Sequence, residues 1–322
     1  MRGFDEVHSF DWSGAKAHRT RAPGMALAWG GVGGVPQIRS GWSRDSVLAH
    51  CLELARRAPD EGKSILLGFD FALSFPFNRK RRAFFNGQTT RAGLWRTLRR
   101  LIWTRKQLPA RTYASAFKSH FHLDGPCLKT CRQFRLTERI ARRAGTNPKS
   151  IFHCVGPQVG PGALCGIAML DVLRLLCRRG HLPLMVWPLF CLDGKGHEDP
   201  LSACFQNPMP RLIVIETYPS LYWRQATCSS RDWLNPAAWR HVRSTFGGKA
   251  PGSPPVSEDE GDALVAWYAL SSPKTALAAP TRWRVANEGW IAGLMQNDFA
   301  PDTYNSPGMR SRAECSRNRD DG

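Results

Sequence analysis

The heptapeptide SILLGFD, residues 64–70, is an apolar run that ends in an aspartate, Asp70. Apolar and polar residues do not alternate in it, and its length suits a strand. A run of this kind is typical of a central strand that is covered on both faces. It therefore predicts an α/β fold with this segment inside the sheet.

The elements on either side of this run complete the predicted fold. A helix over 43–58 has apolar residues at helical spacing and a suitable N-cap in Ser43. Further strands are predicted at 7–10, 25–29, 35–39, 182–190 and 211–216, and a late helix at 256–270. We expect a single domain over 1–299 with a basic helical insertion at about 77–180. The tail, 300–322, is rich in Ser, Arg, Asn and Asp and is expected to be disordered.

The charge of the chain points to a polyanionic partner. Its 322 residues include 45 Lys and Arg but 26 Asp and Glu, a formal net charge of +19. Such an excess is most often found in proteins that bind nucleic acid. No run of 18 apolar residues predicts a membrane span, and acids occupy the N-terminal stretch where a signal peptide is apolar. The ten cysteines lack a C-x-x-C pair and are expected to be reduced thiols in a cytoplasmic protein.

Acidic residues end three of the predicted strands and open the late helix. Asp11, Asp70 and Glu216 follow strands, whereas Asp259 and Asp262 lie three residues apart on one helix face. In an open α/β sheet, ligands bind at the carboxyl ends of the strands. Carboxylates gathered there repel one another, and Mg²⁺ or Mn²⁺ relieves this with oxygen ligands. The pattern predicts a divalent-metal site that activates water against a phosphodiester, held by Asp11, Asp70 and Asp262.

Each acid also has an ordinary structural interpretation. Acids in the first turn of a helix, here also Glu258 and Glu260, interact favourably with the helix dipole. An aspartate after a strand often forms a turn. The order of the acids along the chain favours the metal site more than any single acid does.

Five motifs in order carry a resemblance to a known family: DWSGAK, GFDFALSFP, VGPQVGPGALCGIAML, VIETYPS and EDEGDALVAW. Together they resemble a bacterial family of unknown function that is described as predicted nucleases of ribonuclease H-like fold. The resemblance spans about residues 5–295, including NEGWIAG at 287–293. It implies a mixed ribonuclease H-like sheet flanked by helices and a metal-dependent phosphodiesterase.

The resemblance also implies which residues are catalytic, namely Asp11, Asp70, Glu216, Asp259 and Asp262. Ribonuclease H itself has an acid on its first helix. Glu53 is the only candidate there. It lies between Leu52 and Leu54, as a polar residue of an ordinary amphipathic helix does. The layout is closer to the Holliday-junction resolvases of the same superfamily, which also use a pair of acids on a late helix.

A segment without acids follows Asp70. Residues 71–123 contain twelve Lys or Arg, no Asp or Glu, and interleaved aromatic residues. Arg96, Arg100 and Trp103 are predicted on one helical stripe, beside a core stripe of Leu94, Leu98 and Leu101, and such a stripe suits phosphate contact and base stacking. The alternative is a solvated face whose tryptophan belongs to the core. The predicted nucleic-acid contacts are Arg79, Arg81, Arg82, Arg96, Arg100, Trp103 and Lys16.

Three weaker patterns leave alternatives open. His120, His122, Cys127 and Cys131 could bind zinc, although their order matches no common zinc finger. The loop VGPQVGPG, 155–162, could hold phosphate through backbone amides, but it lacks the Lys-Ser/Thr of a P-loop. Ser13, like Lys16, could contact a substrate phosphate.

The leading hypothesis is a nuclease that depends on Mg²⁺ or Mn²⁺ and hydrolyses DNA or RNA. A non-catalytic nucleic-acid-binding protein could use the same basic surface, but it has no need of several costly carboxylates. An ATP-dependent phosphotransferase of the same fold would need a glycine pair after the first aspartate, where DWSGAK has only Gly14.

Overall fold

The chain folds around one mixed sheet with helices on both faces. The computed structural model describes residues 4–12, 25–78, 80–103, 110–124, 129–155, 159–195, 197–199, 211–273, 275 and 283–294. The predicted tail, 300–322, lies outside these residues.

Eight strands form the sheet in the part of the chain that the structure describes: β1 (Glu6–Asp11), β2 (Ala26–Gly31), β3 (Gln37–Ser40), β4 (Ile65–Phe69), β5 (Leu184–Val186), β6 (Phe190–Leu192), β7 (Glu198–Asp199) and β8 (Leu212–Glu216). Their order across the sheet is β3-β2-β1-β4-β8-β5-β6-β7. β1 is antiparallel to β2 and parallel to β4, and β8 is parallel to both β4 and β5. The predicted strand 182–190 is interrupted by a cis peptide bond between Trp187 and Pro188 and becomes β5 and the start of β6.

The described α-helices are α1 (Arg44–Asp60), α2 (Arg91–Leu98), α3 (Ala110–Ala116), α4 (Leu136–Arg143), α5 (Val159–Arg179), α6 (Pro219–Gln225), α7 (Pro236–Phe246), α8 (Glu258–Ser271) and α9 (Trp283–Glu288). A π-helix, Arg99–Trp103, continues α2, and short 3₁₀ turns cover Lys129–Arg132 and Ser230–Leu234. The predicted helices 43–58 and 256–270 are confirmed as α1 and α8, and Ser43 caps α1 by accepting from the amide of Ser46.

The segment SILLGFD forms β4 inside the sheet, as predicted, and its neighbours there are β1 and β8. All five residues of β4 are buried. Ile65, Leu67 and Phe69 belong to one hydrophobic core, whereas Leu66 belongs to the other. Since alternate side chains of a strand point to opposite faces, this division shows that the strand is covered on both sides.

Helices from different parts of the chain build the two cores. α1, α2 and α5 contribute to the first core, and α4, α6, α7 and α8 to the second. The basic segment is therefore part of the domain core, because Leu94, Trp95 and Leu98 pack in the same core as β4. Gly68 of β4 lets α8 approach the sheet, since a Cβ there would lie 2.8 Å from Leu270.

The predicted core stripe of the basic helix is wrong at its last position. Leu94 and Leu98 are buried as expected, but Leu101 is only half-buried and Ile102 is buried in its place. The π-helix explains this shift, because its wider turn moves the buried face by one residue. The i, i+4, i+7 stripe predicted from regular α-helical spacing therefore does not continue through Arg99–Trp103.

Helix α5 is long and apolar enough, by length and composition alone, to cross a membrane. In this fold, 72% of the apolar stretch is buried inside the protein. The indole Nε1 of Trp12 donates to the carbonyl of Gly162 over 2.9 Å. A Cβ at Gly166 would lie 2.5 Å from the ring of Phe71. Close packing in the core accounts for its apolar sequence.

The expectation that all cysteines are reduced thiols is wrong for one of them. Four described cysteines, Cys51, Cys154, Cys165 and Cys177, are buried free thiols, and Cys228 is a half-buried free thiol. Cys191 of β6, in contrast, is disulfide-bonded.

Candidate active site

Asp11 and Asp70 lie side by side where two parallel strands end. β1 and β4 pair in register up to Phe10 and Phe69. The amide of Asp70 then donates to the carbonyl of Phe10 over 3.1 Å, which extends the pairing by one residue. The sheet itself therefore brings these two carboxyls together, as the sequence predicts.

Helix α8 brings two more acids to the same strand ends. The indole Nε1 of Trp267 donates to the carbonyl of Val7 over 3.1 Å, which fixes α8 on the start of β1. From Trp267 back to Asp259 the helix rises about 12 Å. From Val7 to Asp11 the strand advances about 13 Å. The matching lengths place the first turns of α8 at the end of β1, and the carboxyls of Asp259 and Asp11 share a hydrogen bond.

The four acids Asp11, Asp70, Asp259 and Asp262, named here the acid cluster, strongly perturb one another. Burial, followed by the charges of Asp70, Asp262 and Asp259, raises the pKa of Asp11 well above its usual value. Burial and then Asp262 do the same to the pKa of Asp70. The hydrogen bond to Asp259 raises the pKa of Asp11, whereas burial raises the pKa of Asp259 and the same hydrogen bond opposes that rise.

Asp262 is held by a residue that the sequence analysis missed. Burial raises the pKa of Asp262 to about 7, and the nearby charges of Glu258 and Asp259 add to the effect. The indole Nε1 of Trp223, on α6, donates to the Asp262 Oδ1 over 2.6 Å and opposes this rise. Trp223 lies four residues after Pro219, the start of α6. Nothing in its local sequence distinguishes it from a core tryptophan.

The donor set of the acid cluster fits a hard divalent cation. Its atoms are carboxylate oxygens, which Mg²⁺ and Mn²⁺ prefer, and a cation would remove the repulsion that raises their pKa values. Among the described residues, no three His, Cys, Asp or Glu side chains already stand in ligating geometry. Binding of a cation would require the carboxyls to lose their protons.

Glu216 does not join the acid cluster, although its charge contributes to the raised pKa of Asp70. Both of its oxygens accept from the guanidinium of Arg135, Oε2 from Nη1 over 2.7 Å and Oε1 from Nη2. The amide of Leu73 also donates to Oε2 over 3.1 Å. Both Glu216 and Arg135 are buried. These contacts favour a structural role for Glu216, and its predicted catalytic role stays a prediction.

The register of the sheet explains the different surroundings of Glu216. Along β8, Glu216 alternates with Leu212 and Val214, which belong to the first core. Its Cα partner on β4 is Phe69, not Asp70. The strand position next to Asp70 is taken by Thr217, whose amide donates to the carbonyl of Phe69. An acid at the end of a strand thus shares a site with acids on the neighbouring strands only when the strand register places them side by side.

Arg135 is the centre of a buried ionic group that the sequence analysis also missed. Its Nε donates to Glu138 Oε1 over 2.9 Å, and its Nη1 donates to the carbonyl of Glu288 over 3.0 Å. The carboxyl of Glu288 accepts from the amides of Phe77 and Leu136, over 2.9 and 2.8 Å. Glu138 is the third residue of α4, and its position three residues after Arg135 is the one sequence signal that could have indicated a cap.

The other predicted acids have ordinary surroundings. Glu53 is exposed on α1. Glu260 accepts from the amide of Val256 over 2.8 Å at the start of α8, as expected for an acid that helps to start a helix. Glu258 is exposed.

The predicted nucleic-acid contacts lie on the surface where the structure describes them. Arg81, Arg82, Arg96 and Arg100 are exposed, and Trp103 is half-buried against the first core. Arg79, Ser13 and Lys16 lie outside the described residues. Contact between these residues and nucleic acid stays a prediction.

The proposed zinc residues are only partly described. His120 Nδ1 lies 3.1 Å from the hydroxyl of Ser119. His122 Nδ1 lies 3.4 Å from His153 Nδ1, so its described neighbour is a histidine that the sequence pattern did not include. Cys127 and the side chain of Cys131 lie outside what the structure describes. Zinc binding there stays a prediction.

A cavity of about 330 Å³ lies between α6 and the segments that follow α4 and α6. Ten described residues line it: Gly145, Thr146, Asn147, Tyr218, Ser220, Trp223, Arg224, Cys228, Ser229 and Ser230. One wall contains Trp223, the donor to Asp262. Another contains Tyr218, whose pKa burial raises to about 12, with a smaller contribution from the charge of Asp70. Two of the lining residues therefore link the cavity to the acid cluster.

Comparison of the chain with protein-family models, curated proteins and solved structures gives no match.

Proposed function

We propose that the protein is a divalent-metal-dependent nuclease that hydrolyses phosphodiester bonds. The observation that carries the proposal is the acid cluster, in which two strands and one helix gather four carboxyls, and in which burial and the charges of neighbouring acids raise the pKa values of Asp11, Asp70 and Asp262. Such an arrangement is costly for a fold unless a cation is bound there. The net charge of +19 supports a polyanionic substrate.

The fold supports a ribonuclease H-like assignment without deciding it. The first acid ends β1, the second follows the fourth strand, and the helix pair comes late in the chain. β1 and β4 are parallel neighbours, so the first two acids in the order that carries the resemblance also lie at adjacent strand ends. The ribonuclease H-like assignment and the membership of the resembled family are therefore part of this proposal.

The residues of the chain have separable roles in this proposal. Asp11, Asp70 and Asp262 would hold Mg²⁺ or Mn²⁺. When bound, such an ion supplies positive charge to the attacking water and to the leaving oxygen. Trp223 orients Asp262 by its 2.6 Å hydrogen bond. Asp259, hydrogen-bonded to Asp11, is placed to exchange a proton with it.

The variant Asp11→Asn tests the proposal. It keeps the shape of the side chain and removes a charge that the cation needs. We expect cleavage of DNA or RNA in Mg²⁺ or Mn²⁺ to fall by about a thousand-fold or more, while binding of nucleic acid persists. Glu53→Gln is the matched control, because it removes an exposed acid on α1 and should leave the rate unchanged.

Two outcomes would contradict the nuclease. Asp11→Asn could cleave as fast as the unmodified protein, which would show that Asp11 has no catalytic role. The unmodified protein could also cleave no strand, branch or hybrid in either metal. In that case the non-catalytic nucleic-acid-binding protein becomes the better hypothesis.

A further inference from the structure

We infer that the cavity beside the acid cluster binds one unpaired nucleotide next to the phosphodiester to be cleaved. The preferred substrate would then be a strand with an unstacked nucleotide rather than an intact duplex. This inference rests on the proposed function for the meaning of cleavage, but the binding preference can be measured without it.

The position of the cavity supports this assignment. Trp223 both lines the cavity and donates to Asp262, and Tyr218 lines it within the electrostatic reach of Asp70. A group seated in the cavity therefore lies against the residue that hydrogen-bonds to Asp262. In a nucleic acid, the group adjacent to a phosphodiester is the sugar and base of the flanking nucleotide.

The chemistry of the lining suits a nucleotide. None of its ten described residues is acidic, in contrast to the neighbouring acid cluster. Arg224 supplies positive charge, and Asn147 and the hydroxyls of Ser220 and Ser229 can donate to or accept from a base edge or sugar. The half-buried ring of Tyr218 offers an aromatic face, and stacking of a base on such a ring does not depend on its identity.

The rim of the cavity is built to hold Arg224 in place. Its Nε donates to the carbonyl of Ala144 over 2.8 Å. Its guanidinium lies directly over Gly145, which has a φ of +84°, and a Cβ at that glycine would overlap it. A fixed guanidinium is a better phosphate ligand than a mobile one, because less conformational entropy is lost on binding.

The size of the cavity selects against a duplex. A volume of about 330 Å³ is within the range for small-molecule pockets, of about 300–1,000 Å³. A paired base inside a stacked duplex cannot enter a concave pocket of this size unless it is flipped out, at a cost of a few kcal/mol. A single strand, a bulge or a frayed end presents the same nucleotide with less unstacking.

The test compares binding of a short fluorescent single-stranded oligodeoxynucleotide with its duplex, in EDTA so that no cleavage occurs. The unmodified protein should bind the single strand more tightly. Asn147→Trp, which fills the cavity from an exposed position, should weaken single-strand binding by about ten-fold and leave duplex binding unchanged. Arg224→Gln should also weaken single-strand binding. Arg240→Gln, an exposed arginine of α7 outside the cavity, is the matched control.

Equal affinity for single strand and duplex in the unmodified protein would overturn the inference. So would unchanged single-strand affinity in both Asn147→Trp and Arg224→Gln, provided that circular dichroism shows both variants folded. These outcomes do not depend on catalysis. If the protein prefers single strands but never cleaves them, the proposed nuclease function is refuted and the inference about the cavity stands. If it cleaves nucleic acid but does not prefer single strands, the inference about the cavity is refuted and the nuclease function stands.

Discussion

Asp262 combines a raised pKa with a well-placed hydrogen bond, which makes it a sensitive reporter of the acid cluster. Its pKa is about 7 in the folded protein, against an ordinary value of about 3.8. Between these two values the folded state holds the proton more tightly than the unfolded state does. The contribution of Asp262 to stability is therefore full below about pH 4 and is lost as the pH rises to about 7.

This loss can be measured as the difference in thermal stability between the unmodified protein and the variant Asp262→Asn. In EDTA, Asp262→Asn should gain thermal stability over the unmodified protein as the pH rises from 4 to 8, by about 3–8 °C. His50, whose pKa burial lowers to about 4, contributes stability of opposite pH dependence, but it is common to both proteins and cancels. A constant difference across this range would show that Asp262 titrates normally.

At the residue scale, the sequence predicts only in part which acids lie close together. Asp11, Asp70, Asp259 and Asp262 were predicted together because two strand ends and one helix start converge in a parallel arrangement. Glu216 fits the same pattern but follows β8 with a different register, and only the pairing of β8 with β4 reveals this. Trp223 carries no sequence signal, since a tryptophan in an apolar helix predicts burial, not a donor to a particular acid.

At the scale of elements, β8 and α4 are joined by the ion pair of Glu216 with Arg135. Loss of one partner leaves a buried charge without compensation. Glu216→Gln should therefore lower the free energy of unfolding by about 3–5 kcal/mol. It should lower the affinity for Mn²⁺ far less than Asp11→Asn does in a direct titration, because Glu216 lies outside the acid cluster and affects Asp70 only through its charge.

The control for this variant is Glu61→Gln, which removes an exposed acid at the end of α1 and should change neither quantity. A loss of Mn²⁺ affinity in Glu216→Gln, comparable to that in Asp11→Asn, would return Glu216 to the predicted catalytic set. Normal stability with normal Mn²⁺ affinity would show that the ion pair contributes little.

A second element-scale prediction concerns α2 and the π-helix that continues it. Arg96 and Arg100 are exposed there. If both contact phosphates, Arg96→Ala/Arg100→Ala should reduce the slope of log affinity against log salt by about one to two. Arg56→Ala/Arg240→Ala removes the same charge from α1 and α7. An equal reduction in this control would mean that only net charge matters.

Helices and strands were predicted best where periodicity is strong. α1 and α8 have apolar residues at helical spacing and acceptable caps, and β4 has an unbroken apolar run. The π-helix was missed because the extra residue in a turn changes the hydrogen-bond pattern without changing composition. As a result, the buried residue was predicted at Leu101 and found at Ile102.

At the scale of the whole molecule, a cation that binds the acid cluster should stabilise the fold. The unfolded chain cannot gather these four carboxyls, so the ion binds the folded state alone. At a hundred times its dissociation constant, Mn²⁺ should raise the free energy of unfolding by about 2.7 kcal/mol. The measurement is thermal unfolding in Mn²⁺ and in EDTA at constant ionic strength, and Asp11→Asn should respond much less.

The absence of any stabilisation by Mn²⁺ or Mg²⁺ in the unmodified protein would contradict the metal site directly. Potassium at the same ionic strength is the control for general screening of the net charge of +19.

The mixed α/β fold could be predicted from the sequence because strand and helix signals alternate in a recognisable order. The position of β8 between β4 and β5 could not, since strands of the same character can pair in several orders. Two helices within the predicted insertion, α2 and α5, supply much of one core. Burial of α5 on the sheet depends on Trp12 and Phe71, which are distant from it in sequence.

The buried carboxylate of Glu288 has a consequence for the order in which the protein can fold during synthesis. It accepts from the amides of Phe77 and Leu136, which the ribosome makes far earlier than residue 288. Until residue 288 has left the exit tunnel, the native acceptor of those two amides is missing, and the guanidinium of Arg135 lacks one of its acceptors, the carbonyl of Glu288. Sheet strands β1 to β4 can pair before that point, but the enclosure of β8 by α4 and α9 has to be completed late. Chains stalled before residue 288 should therefore remain sensitive to protease near residues 73–77 and 135–138, even where the sheet has already formed.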